Sequence, residues 1–248
     1  MIYNKIHEFC KVKNLGTCRL NGITPTPRLQ FLMKLLDSEG IQYQLDEFGT
    51  EENKYWNIIM KGSSSQMIMA HHDIVNPNSD NANDNSASVI NVIATKKLRP
   101  SVHAVIVDGE ETGGIGSTRV ADQINNGDFG KIDWVLNYEL TGKGGKYFFI
   151  GDYPGPLSDK IKEIFNCPVV RTPFNDSVRM RAKGIDSTVI NPLPPLPPGE
   201  KSEVQFNDGT YLNFSILFNC HSNKDSLDTI STSDMKEFVE EVILKIID

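Results

Sequence analysis

Three absences narrow the field before any motif is read. The chain has no surplus of basic charge: 25 Lys and Arg stand against 32 Asp and Glu, for a formal net charge of −7. A nucleic acid or an anionic membrane would require a concentrated basic face, so neither partner is expected. It has four cysteines, Cys10, Cys18, Cys167 and Cys220, with no CxxC spacing among them. These are too few for a disulfide scaffold and wrongly spaced for a thiolate metal site, so they read as reduced thiols. Cys10 and Cys18 are the one pair near enough in sequence to approach each other. No apolar run reaches the ~20 residues of a membrane-spanning helix. The stretch from Met1 to Phe9 also lacks the basic segment and apolar core of a signal peptide, so a cytoplasmic location is expected.

What is present is a chain of 248 residues, long enough to bury a sizeable core. Weak helical spacing of Ile2, Ile6 and Phe9 precedes a stronger helix, opened by Thr24-Pro25-Thr26-Pro27, striped with Leu29, Leu32, Leu35 and Leu36, and closed by Gly40. Strand-like runs follow at Ile41 to Phe48, Tyr55 to Met60 and Met67 to Ala70. A helix is predicted over Asn85 to Lys97, then a buried strand over Val102 to Val107, a helix over Ser117 to Ile124, and strands over Trp134 to Tyr138 and Tyr147 to Ile150. Beyond lie a helix at Leu157 to Phe165, strands at Val169-Val170 and Ser187 to Ile190, a polar segment from Asn175 to Gly184, an apolar run from Tyr211 to Phe218, and an amphipathic helix from Met235 to Ile247. This alternation predicts a mixed sheet with helices on both faces. No internal repeat or linker interrupts it, so one domain is the economical reading.

Five candidate divalent-metal ligands are set along this pattern, most of them just after an apolar run: His71, Asp84, Glu111, Glu139 and His221. Carboxylates and imidazoles at strand ends converge where an α/β sheet binds ligands, and a mixed N,O set suits zinc or a similar ion. Asp73 stands two residues after His71, where it could orient the imidazole by accepting its other N–H. Asp84 taken alone reads as a turn or N-cap aspartate. The strongest local signal is Asp108-Gly109-Glu110-Glu111-Thr112-Gly113-Gly114, paired acids at a strand end followed by a glycine-rich turn. One such acid can hold an ion while the other takes a proton from water. The turn lacks the Lys-Ser/Thr ending of a phosphate loop.

With these segments in view, the chain resembles the co-catalytic zinc aminopeptidases of peptidase family twenty-eight, which also contains glutamate carboxypeptidases and glutaminyl cyclases. The resemblance runs from about Met67 to Ile230 and rests on Ala70-His71-His72-Asp73, Asn83-Asp84-Asn85, Asp108-Gly109-Glu110-Glu111, Asn137-Tyr138-Glu139 and Cys220-His221 through Asp225. Asn175-Asp176 with Gly184-Ile185 resembles a further family segment near the site. The resemblance implies a three-layer αβα fold around a mixed, mostly parallel sheet, with residues 1–248 as a single zinc-peptidase domain. It further implies two zinc ions, with cobalt or manganese as alternatives. His71, Asp84 and Glu139 would hold one; Glu111, Asp84 and His221 would hold the other.

On the same footing Glu110 is implied as general base and then acid, Asp73 as the orienting residue, and a cis peptide bond after Asp84. Two departures stand out: Glu139 occupies a position where many family aminopeptidases have aspartate, and Val89 one where glycine is usual. The expected activity is removal of N-terminal residues from peptides. Arg179 and Arg181 keep a carboxypeptidase open, and a single-zinc glutaminyl-cyclase-like enzyme and a non-catalytic peptidase-like binding protein are the other readings. The proline-rich run Pro192 to Pro198 predicts polyproline II, as a ligand for an adaptor domain, a stiff lid, or a rigid connecting loop.

Overall fold

The computed structural model describes residues 2–13 and 25–247. Its centre is an eight-stranded sheet in the order β1-β2-β4-β3-β5-β8-β6-β7. The strands are β1 (Gln44–Gly49), β2 (Lys54–Met60), β3 (Gln66–His71), β4 (His103–Val107), β5 (Trp134–Tyr138), β6 (Phe148–Gly151), β7 (Val169–Val170) and β8 (Ser187–Pro192). The four central strands β4, β3, β5 and β8 run parallel, as do β6 and β7. The pairings β1–β2, β2–β4 and β6–β8 are antiparallel. The sheet is therefore mixed and mostly parallel, as expected.

Alternation along the strands explains why both faces are covered. Ile68 and Ala70 of β3, Ala104 and Ile106 of β4, and Leu136 and Tyr138 of β5 face one apolar layer with α1 (Ile6–Cys10), α2 (Pro27–Glu39) and α3 (Ala87–Leu98). That layer also holds α5 (Pro156–Phe165) and the C-terminal helical segment that begins with α7 (Thr232–Glu237). Met67, Met69, Val105, Val107 and Val135 point the other way, onto Val120, Ala121 and Ile124 of α4 (Ile115–Asn125) and Met180 of α6 (Asp176–Ala182). Strands apolar on both sides are what a central parallel sheet needs. Among the described residues no helix is long and apolar enough to cross a membrane.

The connections place the site. From β3 the chain crosses by α3 to β4 on one side, then returns by α4 to β5 on the other side of β3. The strand order thus reverses at β3, and the crevice at such a reversal, outside the carboxyl ends of the strands, is where open α/β sheets bind ligands. Register keeps those ends level, pairing His71 with Val107 and Met69 with Asn137.

Most predicted elements match to within a few residues, and three segments take their form from local detail. The helix expected from Asn85 begins at Ala87, because Asp84 and Asn85 are held in non-helical conformations within a π-turn over Ala82–Ser86. The polar segment from Asn175 holds α6, capped by the Asn175 side chain, which accepts the Ser177 N–H. The apolar run from Tyr211 to Phe218 opens on isolated bridges at Tyr211 and Leu212 and continues as a 3₁₀ helix over Phe214–Asn219, whose first turn is capped by Asn213. His221 therefore follows a helical turn, with φ of 60° in the left-handed region.

Within the proline-rich run, Pro192 is the last residue of β8 and Leu193 is fully buried beside Phe149, Val204 and Leu212. The Pro194 carbonyl accepts the Asn213 N–H, and the Leu196 N–H donates to Tyr211. Cys10 is a buried free thiol and Cys167 and Cys220 are also free; Cys18 and Thr24 lie outside the described residues. Val89 is wholly buried on α3, packed in the larger core layer.

Candidate active site

All five predicted ligands meet at one cleft, on loops leaving the parallel strands and the 3₁₀ turn. His71 is the last residue of β3, and its Nε2 lies 3.3 Å from Asp84 Oδ1 and 3.3 Å from Glu139 Oε1. His221 Nε2 lies 3.2 Å from the other Asp84 oxygen, Oδ2, and 3.0 Å from Glu111 Oε2. Two triads result, His71–Asp84–Glu139 and Asp84–Glu111–His221, with donor atoms in each within 4.8 Å of one another. Glu110 also falls within the same reach of His71 and Glu111.

Asp73 joins the first imidazole to the paired glutamates. It lies 3.4 Å from His71 Nδ1, an ion-pair distance rather than a well-directed hydrogen bond. Its oxygens accept the backbone N–H groups of Glu110 (3.2 Å) and Glu111 (3.1 Å), fixing the start of the glycine-rich turn. His72, by contrast, faces the protein: its ring contacts the Trp56 carbonyl, and burial pulls it down to about 4.

The loop carrying Asp84 is tied from both sides. The Asn85 amide donates to the Tyr138 carbonyl and its oxygen accepts the Leu140 N–H, which binds the loop to the end of β5 beside Glu139. Asp225 accepts the backbone N–H groups of Asn83 (2.8 Å) and Asp84 (2.9 Å). The peptide bond between Asp84 and Asn85 is cis, as the resemblance implies.

Burial, reinforced by neighbouring carboxylates, governs the protonation of the site's acids. Burial, with Asp176, Glu111 and Asp73 nearby, pushes Glu110 up to about 8 despite His71. Burial lifts Glu139 to about 7 and raises Glu111 as well. Burial would raise Asp84 too, but the two imidazoles outweigh it and hold this carboxyl well below its ordinary range. The His71 imidazole would be lowered by burial, yet Glu139, Asp73 and Asp84 carry it well above its usual value. Hydrogen bonds to Asp84 and Glu111 lift His221 to about 10. Among the described residues no lysine or arginine pairs with any of these carboxylates. A set of acids held together this way is neutralised by protons or by a cation.

Sequence reasoning assigned no role to Asp176 or Asp225. Asp176 is fully buried, neither oxygen has a hydrogen bond of ordinary geometry, and burial lifts it to about 7. Asp225, four residues after His221, is marked in the sequence only as part of the last family segment. The grip of Asp225 is not visible without the fold, because its partners Asn83 and Asp84 lie 142 and 141 residues away in the chain.

The model of peptidase family M28 matches residues 57–246. The LapA aminopeptidase of Legionella pneumophila superposes with a TM-score of 0.70 at 14% identity, covering 99% of this chain and 68% of that one. BSAP, a zinc aminopeptidase from Bacillus subtilis, does so at 0.59 and 15%, covering 79% of this chain and 50% of that one. This chain thus matches half the length of the Bacillus enzyme. The glutaminyl cyclase of Porphyromonas gingivalis gives 0.70 at 16% identity, covering 99% of this chain and 96% of that one. At these identities the structural likeness establishes the fold alone. No curated protein sequence matches the chain.

Proposed function

The chain belongs to peptidase family M28, and on that premise we propose that it is a two-zinc aminopeptidase, removing N-terminal residues from peptides. The observation that carries this reading is the division of Asp84, one oxygen toward His71 and the other toward His221. His71, Asp84 and Glu139 would hold one ion and Glu111, Asp84 and His221 the second. The donors fit: each triad mixes imidazole nitrogen with carboxylate oxygen, the choice of zinc, with cobalt and manganese accepting the same set. Bound there, such ions supply the positive charge that polarises a peptide carbonyl and acidifies a water.

The chain's own residues do the rest. Both triads are complete without Glu110, which lines the cleft beside them and is free to take the proton of the attacking water and hand it to the leaving amine. Asp73 holds the His71 ring and, through the N–H groups of Glu110 and Glu111, the turn that aims the base. The surplus carboxylates of the cleft give a free α-amine its counter-charge.

Near-complete coverage of the glutaminyl cyclase favours a second reading, cyclisation of N-terminal glutamine with one ion. Aminoacyl anilides, N-acetylated peptides and glutaminyl peptides, assayed alongside elemental analysis, separate the two. An aminopeptidase cleaves the substrates with a free α-amine and carries two zinc ions per chain. Glu110→Gln then loses ~10²–10⁴ in kcat with zinc retained. Cleavage confined to N-acetylated peptides, or one zinc with cyclised product, overturns it.

A further inference from the structure

We propose that Arg179 selects substrates by a carboxylate, so that the cleft takes di- and tripeptides with a free C-terminus, the amine end over the acid cluster and the terminal carboxylate on the guanidinium. This rests on the peptidase reading above and names its substrate class.

The charge layout of the cleft carries the inference. Its acid floor is formed by Asp84, Glu110, Glu111 and Glu139, and Arg179 is the one lysine or arginine among the lining residues. The two arginines of α6 have different fates. Arg181 is occupied, donating to Asp186, the Ser187 carbonyl and the Pro154 carbonyl. Arg179 is exposed and, among the described residues, has no hydrogen bond or ion pair, although four carboxylates line the same cleft. An arginine that is anchored but unpaired is available for a ligand's carboxylate, which its planar fork can bind with two parallel hydrogen bonds.

The anchor is built into the turn after the paired glutamates. A Cβ on Gly114 would lie 2.6 Å from Arg179 Cγ and 3.0 Å from Nε, so the side chain lies flat across a position only glycine leaves open. A Cβ on Gly113 would lie 3.9 Å from Nη2. Both glycines have positive φ, 108° and 68°, and both donate their N–H groups to the Glu110 carbonyl. The backbone that positions the acids therefore also seats the cation, without pairing the two.

Size and surface agree with a short peptide. The cleft encloses about 410 Å³, near the lower end of the ~300–1,000 Å³ usual for small-ligand sites. Phe174, 90% exposed, and Val178 give it an apolar wall beside Arg179.

Kinetics of the zinc-loaded protein on leucyl-alanine, leucyl-alanine amide and leucyl-glutamate α-amide, with leucyl anilide as reference, test the proposal. The wild type is expected to favour the free over the amidated dipeptide by about tenfold or more in kcat/KM, with the difference in KM. Arg179→Gln brings that ratio close to one, Arg179→Lys keeps part of it, and Arg179→Glu inverts it. Preference for the glutamate α-amide, with its free side-chain carboxylate, over leucyl-alanine puts the selected carboxylate on the side chain and overturns selection of the C-terminus. Equal rates on free and amidated peptides in the wild type, or a ratio unchanged in Arg179→Gln, overturn the proposal while anilide cleavage leaves the aminopeptidase reading intact. Failure to cleave any of the four overturns both.

Discussion

Asp225 holds Asp84 by its backbone: Asp225 Oδ2 accepts the Asp84 N–H at 2.9 Å, while Oδ1 accepts that of Asn83. The segment after His221 is thereby fastened to the loop of the residue that both triads share. Asp225→Ala leaves two buried N–H groups unpaired, at a cost of ~1–3 kcal/mol each, and frees Asp84 to drift from both imidazoles. Zinc affinity should fall ~10–100-fold, as for other groups that orient ligands. Competition with a fluorescent chelator reads this directly, and Asp225→Asn, which keeps one acceptor oxygen, should lie between.

The sharing of Asp84 predicts an unequal pattern of metal loss. His71→Ala and Glu139→Ala should each leave about one zinc per chain, as should Glu111→Ala and His221→Ala, whereas Asp84→Ala should leave neither site intact. Elemental analysis of the five purified variants decides it. One zinc in the wild type, or full occupancy in Asp84→Ala, contradicts the arrangement.

Stability of the metal-free protein should fall as pH rises. Burial lifts Glu110 to about 8, Glu139 and Asp176 to about 7 and Asp225 to about 6. Unfolded carboxyls titrate near ~4, so between these values the folded state binds more protons and loses stability with rising pH. His221, lifted to about 10 by Asp84 and Glu111, acts the same way: its contribution is full below its unfolded value and lost as pH rises through about 10. Zinc supplies the positive charge that protons otherwise bring. Melting curves with chelator should drop between about pH 5.5 and about pH 8.5, and the gain on adding zinc should be larger at the higher pH.

Arg28 is a buried guanidinium that fastens α2 to the strand bearing the site. Its Nε donates to the His72 carbonyl at 2.9 Å and Nη2 to Ser86 Oγ at 3.1 Å, and its charge sits 3.9 Å from the centre of the Phe9 ring. Arg28→Ala should cost ~3–5 kcal/mol in urea unfolding, because it strips buried acceptors of a charged donor and leaves a cavity. Arg28→Lys should cost less, since the stem and one donor remain.

Much of the fold is legible in the chain because strands and helices carry their own periodicity. Met67 to Ala70, Val102 to Val107 and Trp134 to Tyr138 announce buried strands, and the Leu stripe between Pro27 and Gly40 announces α2. The run from Tyr211 to Phe218 stays unassigned in the sequence, because the 3₁₀ turn that Asn213 caps leaves no periodicity to read. α6 was hidden by its polarity, since only Met180 and its first turn are buried.

The sequence by itself determined the donor types, their order along the chain and, through apolar runs ending in His71, the paired glutamates and Glu139, their position at strand ends. Which oxygen of Asp84 faces which imidazole, the grip of Asp225 on the loop, the orphaned Asp176 and the division of labour between Arg179 and Arg181 were decided only in three dimensions. The reason is physical. Residue type and local pattern fix what a side chain can donate and which way its strand faces, whereas partners far apart in the chain meet only once the reversal of strand order at β3 brings separate loops to one crevice.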